Sequence, residues 1–224
     1  MKNYIVLFIA FAAVFTSCIK DDIVEDFVEP TVRITTVPDT IELNSSFQFE
    51  FMYLNNVGVE EEVDGQWSSS DPSIIEIDNT GLATALAVGQ ADISVTYTDN
   101  GVDLVETTTV NVGNSTVLQE TGKSGTIMTT SSYVLEGSFT LVEEGDNLIL
   151  NIEDDYKASS SLPGLYVYLT NNRNTIANAL EISKVDVFSG EHSYTIENVG
   201  INDYQFLLYF CKPFNVKVGD AEIN

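Results

Sequence analysis

The stretch from Tyr204 to Cys211 constrains the fold of this chain more than any other. Apart from Gln205 and Cys211 its residues are large and apolar, with β-forming side chains on both alternating faces. A run this short and this apolar is typical of a strand that is buried on both sides. Pro213 follows at once and cannot donate a ladder hydrogen bond, so the strand is expected to end or bend there.

The sequence before this stretch contains short strand patterns and no helical periodicity. Between residues 32 and 112, apolar and polar residues alternate in about seven short runs, as in a β-sandwich. Turn signals such as Asn79–Gly81 and Asn100–Gly101 separate the runs. Phe47, Phe49 and Phe51 alternate with polar residues, which predicts three aromatic rings on one core face.

The second half of the chain continues the pattern. Alternating runs occupy residues 133–170 and return at the C-terminus, where Phe214, Val216 and Val218 predict a half-exposed strand after the proline. Residues 177–187 are compatible with a short helix and with a strand. A polar break at 113–115 predicts the domain boundary. We therefore expect an all-β chain of two tandem β-sandwich-like domains, residues 31–113 and 114–224.

The first residues have the form of an export signal. Lys2 precedes an apolar run from Tyr4 to Phe15, which is too short to span a bilayer but suits a secretory leader. Phe15-Thr16-Ser17-Cys18 resembles a lipobox, which implies a signal peptide over residues 1–17 and lipidation of Cys18 as the membrane anchor. The alternative is an ordinary secretory signal with an incidental cysteine.

Residues 18–30 are acidic and lack strand rhythm, so we expect them to form a solvated tether. They resemble the acidic stretch that follows the lipidated cysteine in surface-exported lipoproteins of Bacteroidetes-type bacteria. That resemblance implies a protein that is lipid-anchored in the outer membrane and faces the cell exterior.

The charge of the chain excludes one class of partner. It carries 9 basic and 34 acidic residues, a formal net charge of −25, which repels nucleic acid. The acidic runs Glu60–Glu62, Glu143–Asp146 and Glu153–Asp155 lack the alternating spacing of a calcium loop and are expected to be solvated turns. The single histidine, His192, lies in a predicted exposed loop, so no metal site is expected.

The stretch from Gln66 to Ala85 contains a strand tryptophan, a Ser-Asp-Pro turn and an Asn-Thr-Gly turn. It resembles the signature of group 2 bacterial immunoglobulin-like domains, and Gly89–Val95 resembles the strand that follows. The resemblance implies that Trp67 belongs to the core and that Gly81 is the turn glycine; a sugar-stacking role for Trp67 is the alternative. Such domains usually act as spacers or adhesive modules, so an extracellular protein or a glycan is the expected ligand.

The second unit resembles the DM13 domain of bacterial and animal extracellular proteins, from about residue 122 to the C-terminus. The resemblance rests on Gly125, Gly137, the stretches 162–169 and 190–194 and, most strongly, residues 207–221. The family is proposed to be a redox or electron-transfer module whose cysteine acts as a bare thiol or a cofactor ligand. Cys211 occupies the matching position, whereas Gly164 replaces an acidic residue that is common in the family.

Cys211 is thereby the candidate redox thiol, with haem or another redox group on it as the conceivable cofactor. Once Cys18 is lipidated, Cys211 has no partner for a disulfide and no second thiol to resolve an oxidised form. Lys212 is adjacent but should point to the opposite face of the strand. A buried core cysteine is the alternative to the redox thiol, and the sequence leaves both open.

No catalytic motif points to an enzyme. The chain has no nucleophile elbow, no P-loop and no dinucleotide fingerprint after a strand, so a non-enzymatic protein is favoured. One functional hypothesis is a cell-surface lipoprotein that presents a DM13-like redox module acting through Cys211. The other is a non-catalytic surface adhesion or binding protein in which Cys211 packs in the core.

Overall fold

The structure is a computed structural model that describes residues 26–118 and 122–224. The predicted signal peptide and the lipidation site at Cys18 lie outside the described residues, as do the first residues of the predicted tether. The described chain is all-β, as the sequence predicts. In the described part, no helix has the length and apolar character needed to cross a bilayer.

The first domain is a β-sandwich. Its strands are β1 (Thr31–Ile34), β2 (Pro38–Glu42), β3 (Ser46–Gln48), β4 (Phe51–Leu54), β5 (Glu60–Glu61), β6 (Gln66–Ser69), β7 (Ile75–Ile77), β8 (Leu82–Ala85), β9 (Gly89–Asp99), β10 (Val102–Gly113) and β11 (Val117–Leu118). They form a five-stranded sheet, β11-β2-β10-β9-β6, and two three-stranded sheets, β1-β4-β5 and β3-β8-β7. All neighbours are antiparallel except β2 and β10, which run parallel.

Alternation along the strands builds the core of this domain. Ala91, Ile93 and Val95 of β9 are buried, while the residues between them are exposed or half-buried. Of the three predicted core aromatics, Phe49 is fully buried, and Phe47 and Phe51 are half-buried. The prediction of one aromatic face is therefore only partly right, because the outer two rings lie at the margin of the core.

The first sheet extends past the polar break at residue 113. Strand β11 pairs with β2, so residues 117–118 lie on the first sheet. Thr116 Oγ1 supports this return by accepting a hydrogen bond of 3.0 Å from the Glu42 amide. The polar break is thus a turn at the edge of the first domain, and the boundary at residue 113 stays a prediction.

The second domain is one rolled antiparallel sheet. Its strands are β12 (Gly122–Thr129), β13 (Leu135–Glu144), β14 (Asn147–Ile152), β15 (Lys157–Ala158), β16 (Leu165–Thr170), β17 (Leu180–Lys184), β18 (His192–Glu197), β19 (Phe206–Cys211) and β20 (Val216–Glu222). The strand order is β17-β16-β19-β20-β12-β13-β14-β18, with β15 paired to β13. The edge strands β17 and β18 come into contact, so the sheet folds around its own core.

Strand β19 lies inside this sheet between β16 and β20, and all six of its residues are buried, as predicted. Leu207, Tyr209 and Cys211 face the main core of the domain, whereas Leu208 and Phe210 face a smaller cluster on the other side. This two-sided burial is why the strand carries no polar face.

The chain beyond β19 departs from the predicted alternation. Residues Lys212–Phe214 form a 3₁₀ turn, so the break at Pro213 is confirmed, but Phe214 is 65% exposed and belongs to no strand. Residues 218–221 of β20 are then buried in succession instead of alternately, because β20 also lies between two strands. The ambiguous stretch 177–187 contains strand β17 and no helix.

Asparagine side chains join the two domains. Asn172, which is 2% exposed, donates to the Val57 carbonyl at 3.2 Å and to the Asp26 carbonyl. Asn202 donates to the Thr35 carbonyl at 2.8 Å. Asp26 and Val28, at the described end of the predicted tether, are hydrogen-bonded to the folded domains, while Asp26, Phe27 and Glu29 are exposed; the bounds of the tether stay a prediction.

Candidate functional site

Cys211 is the last residue of β19, and its side chain is inaccessible. It is 0% exposed and packs in the main core of the second domain, opposite Leu165 on β16 and Val216 on β20. It is a free cysteine. A thiol in this position cannot meet a second thiol by direct contact unless the sheet opens.

Lys212 does not assist Cys211, as the strand geometry predicts. Its ammonium group forms an ion pair of 2.7 Å with Glu181 and lies 4.9 Å from the centre of the Tyr166 ring. This hydrogen bond raises the pKa of Lys212 and lowers the pKa of Glu181. Glu181 also accepts a hydrogen bond of 2.9 Å from Tyr168, so the network belongs to the outer face of the sheet.

The residues around Cys211 do not fit a haem. The thiol is enclosed by packed side chains, and Cys211 lines neither the cleft between the domains nor the smaller cleft beside Thr36 and Ile201. A porphyrin would have to displace part of the core. Among the described residues, no three His, Cys, Asp or Glu side chains lie close enough to hold a metal ion.

Gly164, the departure from the family pattern, has a local reason. Its carbonyl accepts a hydrogen bond of 3.0 Å from the Lys212 amide, which brings the loop before β16 against the 3₁₀ turn. A Cβ atom at residue 164 would lie 2.7 Å from Cδ of Pro213. An acidic side chain cannot be placed there without moving the turn that follows Cys211.

An aromatic cluster lies on the same face of β19 as Cys211. Tyr209, two residues before it, is 6.1 Å from the Tyr156 ring between centroids. The Tyr156 ring is 5.1 Å from the His192 ring, which is 5.3 Å from the Tyr194 ring. The prediction that His192 lies in an exposed loop is wrong: it begins β18, is half-buried, and packs on Tyr156 because β18 pairs with β14.

The polar atoms of this cluster have few partners. Within the described residues, His192 Nε2 is buried without a hydrogen bond, and the buried hydroxyls of Tyr156 and Tyr209 have only each other as partners. Burial raises the pKa of Tyr156 and of Tyr209, and the nearby Tyr194 adds to both rises, whereas the hydrogen bond with Tyr209 lowers the pKa of Tyr156. Sequence reasoning missed Tyr156, since a single tyrosine in the polar segment between β14 and β15 carries no signal of its long-range contacts.

A wide cleft of about 1370 Å³ lies between the two domains. Trp67 of β6 forms part of its wall and packs with Phe49 and Phe51, each ring centroid 5.8 Å away. Gly81 has a φ of +83°, and a Cβ there would lie 2.9 Å from Trp67 Nε1. The predicted roles of Trp67 in the core and Gly81 in the turn are thus both seen, but Trp67 is half-buried and also faces the cleft.

Polar groups from both domains line this cleft. The first domain contributes the carboxylates of Glu50, Glu60 and Asp64, and the second contributes Asp203 beside Tyr204. Amide side chains also line it: Gln48, Gln66, Asn79, Asn171 and Asn178. The cleft therefore combines aromatic edges with many acceptors and donors and contains no lysine or arginine among its lining residues.

Comparison with protein families agrees with the two resemblances. Residues 55–108 match the family described as bacterial Ig-like domain (group 2), and residues 127–223 match the family described as electron transfer DM13. The order of the two domains is the predicted one.

The individual proteins that resemble this chain either align with a small part of it or are only distantly similar to it. An uncharacterized protein of Clostridium acetobutylicum is 49% identical over 51 residues, which is 23% of this chain and 13% of that protein. The chain thus spans a small part of that relative's length. The crystal structure of domains 4 and 5 of the S-layer protein SbsC is similar at a TM-score of 0.29 and 15% identity, covering 86% of this chain and 96% of that one. A similarity this low supports no inference about function.

Proposed function

The chain carries a group 2 bacterial Ig-like domain followed by a DM13 domain, and from this architecture we infer a non-catalytic surface protein that binds an extracellular glycan between the two domains. The observation that carries the proposal is the interdomain cleft of about 1370 Å³, which neither domain forms alone. Ligand sites commonly lie at such domain interfaces and place a few polar groups on an apolar wall.

The lining of the cleft suits a neutral, hydroxyl-rich ligand. Carboxylate and amide side chains can accept from and donate to sugar hydroxyls, and the edges of Trp67 and Tyr204 offer apolar contact. An anionic ligand would meet four carboxylates and no cation among the lining residues. A cationic peptide is the competing occupant.

We further propose that the protein is exported, lipidated at Cys18 and anchored in the outer membrane facing the cell exterior. The support is the leader over residues 1–17, the lipobox-like Phe15-Thr16-Ser17-Cys18 and the acidic stretch that follows. The acyl chains would hold the protein at the membrane, and the folded domains would stand outside it.

Trp67 makes the binding proposal directly testable, because it is the only tryptophan of the chain and lies at the cleft wall. Titration of the folded protein with neutral oligosaccharide fractions from bacterial surfaces should change tryptophan fluorescence in a saturable way. Asp203→Asn and Tyr204→Ala should weaken the response, whereas Tyr133→Phe, which lies outside the cleft, should leave it intact.

Salt dependence separates the two ligand classes. Glycan binding should change little between low and moderate salt, whereas binding of a cationic peptide should weaken steeply. The glycan proposal would be contradicted if only basic peptides changed the tryptophan fluorescence. It would also be contradicted if Asp203→Asn and Tyr204→Ala gave the same fluorescence response to glycans as the wild type.

Electron transfer through the second domain is a second candidate function. Its support is the match of residues 127–223 to the electron transfer DM13 family, together with Cys211 buried beside Tyr209. Because the thiol is 0% exposed, exchange of electrons through the protein is favoured over thiol–disulfide exchange.

Modification of the chain from residue 19 onward, in which Cys211 is the only cysteine, tests this role. We expect a maleimide to label Cys211 only after unfolding. Metal-complex oxidants of graded strength should remove fewer electrons from Cys211→Ser than from the wild type. Equal electron counts in the two proteins would assign Cys211 to core packing alone.

A further inference from the structure

We propose that residues 26–28 form a strap that locks the two domains together at one end of the interdomain cleft and so sets the width of the cleft. Release of the strap opens the cleft and weakens binding in it. The strap itself depends only on contacts between described residues, whereas its effect on a ligand rests on the binding proposed for the cleft.

Hydrogen bonds to both domains hold the strap. The Val28 amide donates to the Asn56 carbonyl of the first domain at 2.9 Å. The side-chain amide of Asn172, in the second domain, donates to the Asp26 carbonyl. The Phe27 carbonyl, between them, accepts a long hydrogen bond of 3.5 Å from the same loop of the second domain. Each residue of the strap is therefore bonded, and the segment ties one domain to the other.

Asn172 contacts the strap and the first domain at the same time. Its side-chain amide also donates to the Val57 carbonyl at 3.2 Å, and the residue is 2% exposed. The Asn174 amide donates to its Oδ1 at 3.0 Å, which fixes the orientation of the side-chain amide. Thr170 Oγ1 accepts from the Asn172 amide and donates to the Asn172 carbonyl, each at 3.0 Å. The loop is thus held in the conformation that presents Nδ2 to the interface.

The strap lies beside the cleft. The turn of residues 55–59, which accepts the strap amide, contributes Gly58 and Val59 to the lining, and Asn171 contributes from the second domain. Gly58 has a φ of +76°, and a Cβ there would lie 2.7 Å from the Asn171 carbonyl oxygen. The two domains are therefore in close contact at this end, and a loss of that contact changes the width of the cleft.

A separate contact joins the domains elsewhere along the cleft. Asn202 donates to the Thr35 carbonyl at 2.8 Å, and Thr35 and Asp203 both line the cleft. This contact uses no residue of the strap. When the strap is released, the domains stay joined there and can part at the end next to Asn171, as in a hinge-type opening.

The strap is the part of this arrangement that opens most easily. It belongs to no strand, and Phe27 is 56% exposed. A segment with few hydrogen bonds and little apolar burial opens locally at a low cost in free energy. The proposed lipid anchor at Cys18 precedes Asp26 by eight residues, so a pull on the anchor acts on the strap before it acts on either domain.

Val28→Pro in the full-length chain tests the strap, because proline has no amide hydrogen to donate to the Asn56 carbonyl. Spin labels at Glu62→Cys and Ala177→Cys, exposed positions beside the cleft in the first and the second domain, report its width by pulsed electron paramagnetic resonance. Cys18→Ser removes the other accessible thiol. We expect one narrow distance distribution without the proline and a broader one with a longer mean in Val28→Pro.

Glu29→Pro is the matched control, because the Glu29 amide makes no hydrogen bond within the described residues. It places the same ring one residue further along the chain and should leave the distances unchanged. Unchanged distances in Val28→Pro, or equal broadening in both proline variants, would overturn the strap. So would a Val28→Pro chain that fails to fold by circular dichroism, since a segment that only locks folded domains is not needed to form them.

Ligand binding is then measured on the same proline variants without the labels. The apparent affinity scales with the fraction of molecules whose cleft is closed, so Val28→Pro should bind neutral oligosaccharides more weakly than Glu29→Pro, followed by Trp67 fluorescence. A cleft that opens in Val28→Pro, with no glycan response even in the wild type, would remove the binding and leave the strap. Saturable binding with equal affinity and equal distances in both variants would remove the strap and leave the binding.

Discussion

Tyr156 and Tyr209 are polar residues in a site that satisfies only their rings. Among the described residues their hydroxyls have no partner outside this pair, and a buried hydroxyl that is left incompletely hydrogen-bonded costs about 1–3 kcal/mol. Phenylalanine would fill the same space without that cost. The two hydroxyls and the imidazole nitrogen of His192 therefore carry a cost in stability that ring packing alone would not require.

The raised pKa of the two tyrosines predicts loss of stability in alkali. The unfolded chain releases these protons near pH 10, whereas the folded chain holds them to higher pH. Their contribution is complete below that value, and above it the unfolded state binds fewer protons, so the free energy of unfolding should fall as pH rises through about 10–12.

Urea unfolding at a series of pH values measures this slope. The double variant Tyr156→Phe/Tyr209→Phe should lose part of it, and Tyr133→Phe, in which an exposed tyrosine is replaced, should retain the wild-type slope. A double variant with the full wild-type slope would show that other groups cause the alkaline loss.

Strand β19 and the 3₁₀ turn that follows it determine which residues surround Cys211. The strand ends where Pro213 cannot continue the ladder, and the 3₁₀ turn of residues 212–214 packs its proline against Gly164. The loop before β16 and the end of β19 are thus held together by one close contact and by the hydrogen bond from the Lys212 amide to the Gly164 carbonyl.

Gly164→Ala should therefore destabilise the second domain. The added Cβ would lie 2.7 Å from Pro213 Cδ, and neither the ring nor the loop can yield without disturbing the end of β19. Overpacking of this kind costs about 1–3 kcal/mol, measured as a shift of the urea midpoint. Gly122→Ala is the control, because its Cβ would make only an ordinary contact of 3.9 Å; equal shifts in both variants would refute the steric explanation.

The cleft is a property of the whole molecule, since it exists only while the two domains are held side by side. Asn172 is central to that arrangement: it is almost fully buried, bridges to Val57 and Asp26, and accepts a hydrogen bond of 3.0 Å from the Asn174 amide. The asparagines at this interface therefore hold the domain that contributes Asp203 against the domain that contributes Trp67.

Asn172→Ala should uncouple the domains. The variant loses the hydrogen bonds to the Val57 and Asp26 carbonyls, at a cost of about 0.5–1.5 kcal/mol each. Calorimetry should then resolve two unfolding transitions or a broader one, and glycan-induced changes in Trp67 fluorescence should weaken. The exposed Asn114→Ala, near the predicted boundary, should leave both unchanged. A single sharp transition in Asn172→Ala would show that other contacts couple the domains.

The strands, their breaks and the order of the two domains could be predicted from the amino-acid sequence, because these depend on local signals. The two-sided apolar run of β19, the proline after it and the glycine turn beside Trp67 act within a few residues. The sequence also identified Cys211, but it left open whether the thiol is accessible. Accessibility depends on β16 and β20, which flank β19 only in the folded sheet.

Which polar groups come into contact could not be predicted in this way. His192 has polar neighbours in sequence and was predicted to be exposed, yet pairing of β18 with β14 places its ring on Tyr156. Tyr156 in turn reaches Tyr209 on a strand far along the chain. Such contacts, like the cleft between the domains, depend on how sheets roll and dock. That information lies in long-range packing, which no local pattern of residues encodes.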